Sequence, residues 1–374
     1  RARGRPRSLS DSPDNNMPFT QENRQKLDAT IARYPVKRSA LLPALRLAQE
    51  QDGWISPDAM AEIASILGLS TAQVHDTASF YTMFALKPEG QTVIEVCTTL
   101  SCALGGSEAL MHRTCRKLGI KPGETTADGR FTVKPVECLA ACGGAPAVQV
   151  NGEWMEQATD ADMDKVLAGE KVYRSFDWPK SPGEPVLFKN VWTPNSQSIE
   201  TYKKSGGYAN LKRYLEMSPD DITEQVKKSG LRGRGGAGFP TGLKWTFLPK
   251  DSPKPRYLCV NADESEPGTY KDRVIIERDP HQLIESTVIS AHAIRSKSAF
   301  IYIRGEFHEG ARTLNKALAE AYAAGFVGRN ILGTGVDMGG VEHPAQEGAG
   351  ALVLRVADHL IGGALLDDHA AVHE

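Results

Sequence analysis

Gln91-Thr92-Val93-Ile94-Glu95-Val96-Cys97 is a β-branched run that ends on a cysteine, and Thr132-Val133-Lys134-Pro135-Val136 is a second run with a cysteine, Cys138, two residues beyond it. Residues branched at Cβ favour extended backbone, because their side chains pack well on a pleated surface. Both runs therefore read as strands that hand cysteines to the loops behind them. Between them, residues 107–118 have the spacing of a helix. Ala147-Val148-Gln149-Val150 followed by Asn151-Gly152 reads as a strand entering a tight hairpin turn. Residues 160–167 read as a closing helix. The result is an α/β unit over residues 86–174 with its cysteines at strand ends.

Four of the six cysteines fall into two close pairs, Cys97-x4-Cys102 and Cys138-x3-Cys142. A [2Fe-2S] cluster takes four thiolates, two per iron, and these short spacings let each pair come from one loop. The second pair lies among small residues, Cys138-Leu139-Ala140-Ala141-Cys142-Gly143-Gly144-Ala145-Pro146. Small residues let backbone N–H groups approach cluster sulfurs, which raises the potential. Zinc is the competing metal, although structural zinc sites favour tighter C-x2-C turns; disulfides or inert thiols are the third reading. Six cysteines are too few to staple 374 residues, and with no export signal the pairing points to metal before disulfide. Cys115 and Cys259 read as buried, inert thiols.

Upstream, residues 17–85 read as helical. Leu41, Leu42, Leu45, Leu47 and Ala48 make one stripe, Ile63, Ile66 and Leu67 another, and Ser70 before Thr71-Ala72-Gln73-Val74 has the form of an N-cap. Nothing there has catalytic spacing, so a helical docking bundle is expected. Residues 1–16 hold four Arg, two Asp and two Pro with almost nothing apolar. They read as a disordered leader ahead of a functional start at Met17, and they lack the apolar core of a secretory signal.

Downstream, residues 175–190 are rich in Pro, Ser and Gly and read as a linker. A second α/β region follows over residues 191–335, with strands at 257–260 and 299–303 and helices at 222–228, 280–294 and 309–324. It carries Gly230-Leu231-Arg232-Gly233-Arg234-Gly235-Gly236-Ala237-Gly238-Phe239-Pro240-Thr241-Gly242-Leu243-Lys244-Trp245. So many glycines leave backbone N–H groups bare for a phosphate or pyrophosphate, with Arg234 and Lys244 for charge. The run is not a P-loop, since Leu243 follows Gly242. A Rossmann G-x-G-x-x-G is weak here because no clear strand precedes it. A flexible loop without ligand is the bland reading. Asn261-Ala262-Asp263-Glu264-Ser265-Glu266 follows a strand, where α/β ligand sites form, and reads either as a solvated acidic turn or as hydrogen-bonding groups for flavin or ribose hydroxyls. Tyr302-Ile303-Arg304-Gly305-Glu306 again ends a strand with polar residues.

These segments resemble two subunits of respiratory complex I. Residues 17–173 are similar to its thioredoxin-like [2Fe-2S] subunit, through the cysteine pattern, Tyr34-Pro35-x-Lys37-Arg38-Ser39-Ala40-Leu41-Leu42-Pro43-Ala44-Leu45 and Ser79-Phe80-Tyr81. Residues 185–335 resemble its FMN/NADH-binding subunit. The resemblance implies an α/β fold: a helical leader plus a thioredoxin-like ferredoxin domain, followed by a partial α/β flavin-binding domain. It implies [2Fe-2S], FMN and NAD(H) as cofactors, with Cys97, Cys102, Cys138 and Cys142 as metal ligands. Gly233, Arg234, Gly235, Gly236, Ala237 and Gly238 would wrap the FMN phosphate; Asn261, Asp263, Glu264, Tyr302, Gly305 and Glu306 would contact FMN. Glu266, the catalytic candidate, would meet the nicotinamide. Lys244 would hold nucleotide phosphate, and Phe239 and Phe247 would flank the adenine. After Asn330-Ile331-Leu332-Gly333-Thr334-Gly335 the pattern fades into a divergent tail, residues 336–374, that reads as a frameshift or truncation. The FMN pocket is accordingly expected to be incomplete. A metal site among His343, Asp358, His359, Asp367, Asp368, His369 and His373 is the weaker reading of that tail, since no spacing recurs.

By resemblance, the chain is the electron-input module of NADH:quinone oxidoreductase, with NADH dehydrogenase (quinone) activity. Hydride would pass from NADH to FMN and single electrons to iron–sulfur clusters. The other peripheral-arm subunits would be its partners, and it would be cytoplasmic, held on the inner face of the plasma membrane by them. The alternatives are the diaphorase module of an NAD-linked hydrogenase or formate dehydrogenase, and a non-catalytic [2Fe-2S] carrier. A net charge of −2 supplies no global field for nucleic acid, and no run of about 18 apolar residues calls for membrane insertion.

Overall fold

A computed structural model describes residues 19–177, 183–249, 251–296, 298–327 and, for its backbone, 351–355. The leader, the start at Met17 and the histidine- and aspartate-rich positions of the tail lie outside the described residues. The chain divides into two units between Phe176 and Asp177.

The first unit begins with helices α1 (Gln21–Ile31), α2 (Leu41–Asp52), α3 (Pro57–Leu67) and α4 (Thr71–Phe80), with a 3-10 turn at Lys37–Ala40. Thr20, Ser56 and Ser70 each accept a backbone N–H at the helix start. Ser70 and Gln73 complete a reciprocal capping box, which satisfies two donors that the first turn would leave orphaned. Gly53 and Gly68 close α2 and α3 in the left-handed conformation. The helices bury Leu27, Leu45, Ile63 and Val74 fully, each side chain contributing about 1.5–3 kcal/mol.

A five-stranded sheet follows: β1 (Thr92–Cys97), β2 (Glu124–Thr125), β3 (Phe131–Val136), β4 (Val148–Val150) and β5 (Glu153–Met155). Helices α5 (Leu100–Leu104) and α6 (Ser107–Leu118) lie between β1 and β2, and α7 (Asp160–Leu167) closes the unit. The strand order is β2-β3-β1-β4-β5. β1 is central, parallel to β3 with Cys97 level with Val136, and antiparallel to β4 with Val96 level with Val148. Parallel neighbours release their chains at the same edge, so this register delivers both cysteine loops together. Ile94, Val96, Val133 and Val148 are fully buried behind them. The β4–β5 turn has positive φ at both Asn151 and Gly152, the geometry of the hairpin read from the sequence.

The second unit holds α8 (Ile199–Lys204), α9 (Leu211–Glu216), α10 (Pro219–Lys228), α11 (Thr241–Thr246), α12 (Asp272–Arg278), α13 (Pro280–Ala293) and α14 (His308–Ala323). Its sheet is β6 (Tyr257–Ala262), β7 (Ser298–Ile303) and β8 (Ala351–Arg355), with β6 parallel and β8 antiparallel to β7. The sheet thus extends beyond residue 335. A helix, α10, precedes the glycine loop where a Rossmann unit would place a strand. Cys259 departs from expectation: it is exposed, not buried. It lies on an edge strand whose exposure alternates, and it shares the open face with Tyr257 and Asn261.

Candidate cofactor sites

The four paired cysteines converge. Cys97 ends β1, Cys102 sits in α5, Cys138 follows β3, and Cys142 opens a 3-10 turn. Cys138 Sγ lies 3.4 Å from Cys142 Sγ, and Cys97 is in hydrogen-bonding contact with both Cys102 and Cys138. Gly105, just past α5, lets the two loops approach: a Cβ there would lie 3.2 Å from the Pro146 nitrogen.

Each of three sulfurs also faces a fixed donor. The Thr99 hydroxyl is 3.1 Å from Cys97 Sγ, and the Ala140 N–H donates to Cys138 Sγ at 3.4 Å. The Ala147 N–H donates to Cys102. Ala140 holds its amide in place from a left-handed backbone, φ 53°, a conformation that costs a non-glycine residue about 1 kcal/mol or more. This is the crowding of amides around sulfur that the small residues of this loop implied.

Charge explains what the cluster of thiols needs. Contact with Cys102 and Cys138 draws the Cys97 thiol far below its ordinary range. Contact with neighbouring thiols, and then burial, push Cys102 and Cys138 well above theirs. Like charges in one buried place cannot all ionise. Four thiolates therefore require a cationic core, which two irons supply. Among the described residues no three ligating side chains surround a single ion, so paired sulfurs suit a two-iron core better than one zinc. Cys115 is buried apart from the quartet, and burial raises its thiol, in keeping with an inert role.

In the second unit, two of the three polar segments meet at the carboxyl ends of β6 and β7. Asn261 pairs in register with Tyr302, and Ala262 with Ile303. Asn261, Asp263, Glu266 and Tyr302 are exposed there. Glu264 is different: it is buried, and its carboxylate accepts from the backbone N–H groups of Lys271, Asp272 and Arg273. Glu306 is half-buried and takes both of its oxygens to Arg304.

The glycine loop leaves α10 and enters α11 through a narrow neck, where the Gly233 N–H donates to Phe239 O and the Thr241 N–H to Leu231 O, both at 2.9 Å. Gly236 and Gly238 have positive φ. A Cβ at Gly235, Gly236 or Gly238 would meet nothing within 4 Å, so the loop presents its backbone to open space, as a phosphate cradle must. Arg234 and Ala237 are exposed on it and Lys244 on α11. Phe239 and Phe247 stand exposed with ring centroids 5.9 Å apart.

Two features escaped the sequence reading. Arg304, 7% exposed, binds Glu306 and donates to the Glu264 carbonyl at 2.9 Å; an arginine ending an apolar strand directly before Gly-Glu was the available signal. Glu156, fully buried beside Gly144, accepts the Phe176 N–H, and nothing in its local sequence marks it.

Comparison with known families gives these two sites their names. Residues 27–171 match the family model of the thioredoxin-like [2Fe-2S] ferredoxin, and residues 226–360 that of the Nuo51 FMN-binding domain. The chain joins a [2Fe-2S] ferredoxin domain to a flavin domain. The quartet lies inside the first match, and the glycine loop and both strand ends lie inside the second. Curated relatives include an F-type NADH-quinone oxidoreductase polypeptide of Rhizobium meliloti, 53% identical over 171 residues, covering 46% of this chain and 40% of the relative. Its counterpart in Aquifex aeolicus is 54% identical over 168 residues, covering 45% and 38%. The chain thus spans about two fifths of the length of these relatives. Among solved structures, an NAD+-reducing [NiFe]-hydrogenase in its air-oxidised state superposes with a TM-score of 0.61 at 30% identity, covering 76% of this chain and 49% of that one. No helix among the described residues is long and apolar enough to cross a membrane.

Proposed function

We propose that the chain is an electron-input module that oxidises NADH in the flavin domain and relays single electrons through the ferredoxin domain, as part of an NADH:quinone oxidoreductase. The observation that carries this is the convergence of four buried cysteine sulfurs with amide donors already aimed at them. Bound FMN would supply the conversion of a two-electron donor into single electrons, and the [2Fe-2S] cluster one-electron storage.

The protein's own part is position and electrostatics. The open amides of residues 233–238, with Arg234 and Lys244, would bind phosphate groups. Asn261, Asp263 and Tyr302, with Gly305 and Glu306 behind them, would orient the flavin at the strand ends. Exposed Glu266 would meet the nicotinamide, and Phe239 with Phe247 would receive the adenine. In the ferredoxin domain the Thr99, Ala140 and Ala147 donors would favour the reduced, more negative cluster and so raise its potential. Partners would be the other peripheral-arm subunits, which would also hold the chain at the inner face of the membrane.

A specific observation favours a second reading, the diaphorase module of an NAD-linked hydrogenase. The hydrogenase match covers 76% of the chain, more than either unit holds, so one chain of that protein spans both domains in sequence. The identity to quinone oxidoreductase polypeptides, near 50%, favours the first.

The test is anaerobic purification of the full chain, followed by absorbance and EPR before and after NADH, then after dithionite. Flavin absorbance that bleaches with NADH, with a [2Fe-2S] signal, supports the module. A cluster signal with dithionite alone and no bound flavin reduces the chain to a carrier. Intact cysteines with no iron–sulfur signal overturn the reading. Quinone-reducing or hydrogen-oxidising activity in the native assembly separates the first reading from the second.

A further inference from the structure

The second strand-end segment contains three acids, and the structure separates them. Asp263 and Glu266 face solvent, while Glu264 is 4% exposed. Glu264 Oε1 accepts the Lys271 N–H at 2.7 Å and shares the Asp272 N–H, at 3.0 Å, with Oε2, which also accepts the Arg273 N–H at 3.0 Å. These are first-turn amides that α12 cannot satisfy itself, and a carboxylate there also meets the positive end of the helix. From the other side, the Arg304 guanidinium donates Nη1 to the Glu264 carbonyl at 2.9 Å and grips both Glu306 oxygens at 3.0 and 3.1 Å. The Arg304 N–H also reaches Ala262 O across the two strand ends.

We propose that Glu264 and Arg304 are positioning residues rather than flavin ligands: Glu264 pins the acidic turn of residues 261–266 to α12, and Arg304 yokes that turn to Glu306. A carboxylate with both oxygens committed to three amides has no lone pair well placed for a ligand hydroxyl. The exposed members of the turn keep theirs. The proposal rests on the flavin-domain reading for its consequence, but the latch itself exists without flavin.

The experiment uses the full chain with Glu264→Gln, Arg304→Lys and Arg304→Met, in three readouts. Amide exchange at Lys271, Asp272 and Arg273 is measured in the flavin-free chain; FMN affinity is measured by fluorescence quenching; the bound flavin's midpoint potential is measured by redox titration. Glu264→Gln puts an NH2 group against N–H donors. It should speed exchange at those three amides about tenfold or more, weaken FMN by a similar factor, and move the potential upward as Asp263 and Glu266 lose their fixed places. Arg304→Lys keeps the charge and should recover part of what Arg304→Met loses.

Unchanged exchange at residues 271–273 in Glu264→Gln overturns the latch. So does a loss of FMN affinity with flavin-free exchange intact, which would make Glu264 a ligand. If the wild-type chain binds no FMN, the functional reading fails while the exchange measurement still decides the latch. Should Glu264→Gln fail to fold, Arg304→Lys and Glu306→Gln carry the same readouts.

Discussion

Asp279 joins α12 to α13 and is fully buried at the N-cap of α13. Its Oδ2 accepts the Asn190 amide at 2.9 Å, and its Oδ1 has no hydrogen-bond partner among the described residues. Burial raises its pKa from 3.8 to about 6, against the pull of Asn190, the Gln282 N–H and Lys189. The folded chain therefore keeps a proton that the unfolded chain releases. For this group, stability is greatest below pH 4, falls as pH rises from about 4 to about 6, and stays low above that. A difference of about two units at about 1.4 kcal/mol each sets an upper figure of about 3 kcal/mol. Asp279→Asn should remove that cost at neutral pH. It keeps the oxygen that Asn190 needs and exchanges one orphaned polar atom for another. It loses the attraction between a carboxylate and a helix N-terminus, about 0.3–1 kcal/mol. The net expectation at pH 7.5 is a gain of about 1–2 kcal/mol, read as a higher urea midpoint by circular dichroism, or about 2–4 °C of melting temperature per kcal/mol. The slope of stability against pH between 4 and 6 should flatten in the variant. A variant no more stable than wild type at pH 7.5, together with a flat wild-type profile over that window, would refute the assignment.

Cys138→Ser should abolish the [2Fe-2S] signal while Cys115→Ser leaves it intact, counted as iron per chain and by EPR. Asp162 is lowered because, although burial opposes ionisation, the Thr159 hydroxyl and the Arg174 guanidinium at 2.6 Å outweigh it. Its contribution is present above the ordinary carboxylate pKa and is lost as pH falls through the lower folded value; Asp162→Asn should cost about 1–2 kcal/mol at pH 7 by loss of the capping box, and acid titration of both chains checks the sign. Gly144→Ala would place a Cβ 2.7 Å from Glu156 Oε2 and 2.9 Å from Phe176 Cβ, so it should destabilise by about 1–3 kcal/mol and lower cluster occupancy, measured by denaturation and iron content. Phe247→Ala removes a side chain 64% exposed, so stability should hold. The KM for NADH should rise by about five- to a hundredfold with kcat little changed, since stacking on a base is worth about 1–3 kcal/mol.

The ferredoxin domain was legible because its signals are local and redundant. The β-branched run ends on Cys97, the helix of residues 107–118 emerged with its bounds intact, and Asn151-Gly152 took the turn that this pair favours. The flavin domain was legible in its long elements but not in α8, α9, α11 or α12, each of seven residues or fewer. A helix of two turns shows too little of its period to register. Cys259 was misplaced for a related reason: its run is apolar, but a strand with one neighbour leaves alternate positions uncovered. At the strand ends the sequence identified the right residues and not their division of labour. Spacing shows that Asp263, Glu264 and Glu266 are close together; it does not show which one turns inward to meet α12.

That division follows from where charge is tolerated. A buried carboxylate persists only if its lone pairs are met. Glu264 satisfies the condition with three helix amides and Glu306 with a guanidinium fork. Asp263 and Glu266 on the same turn are exposed and need no such partner. The same principle separates the cysteines. The quartet crowds four sulfurs where they cannot all ionise without a cation, whereas Cys115 is buried away from them. In both units the groups available for chemistry are those whose charge the fold leaves uncompensated, and the groups that hold them in place are those whose charge it has already met.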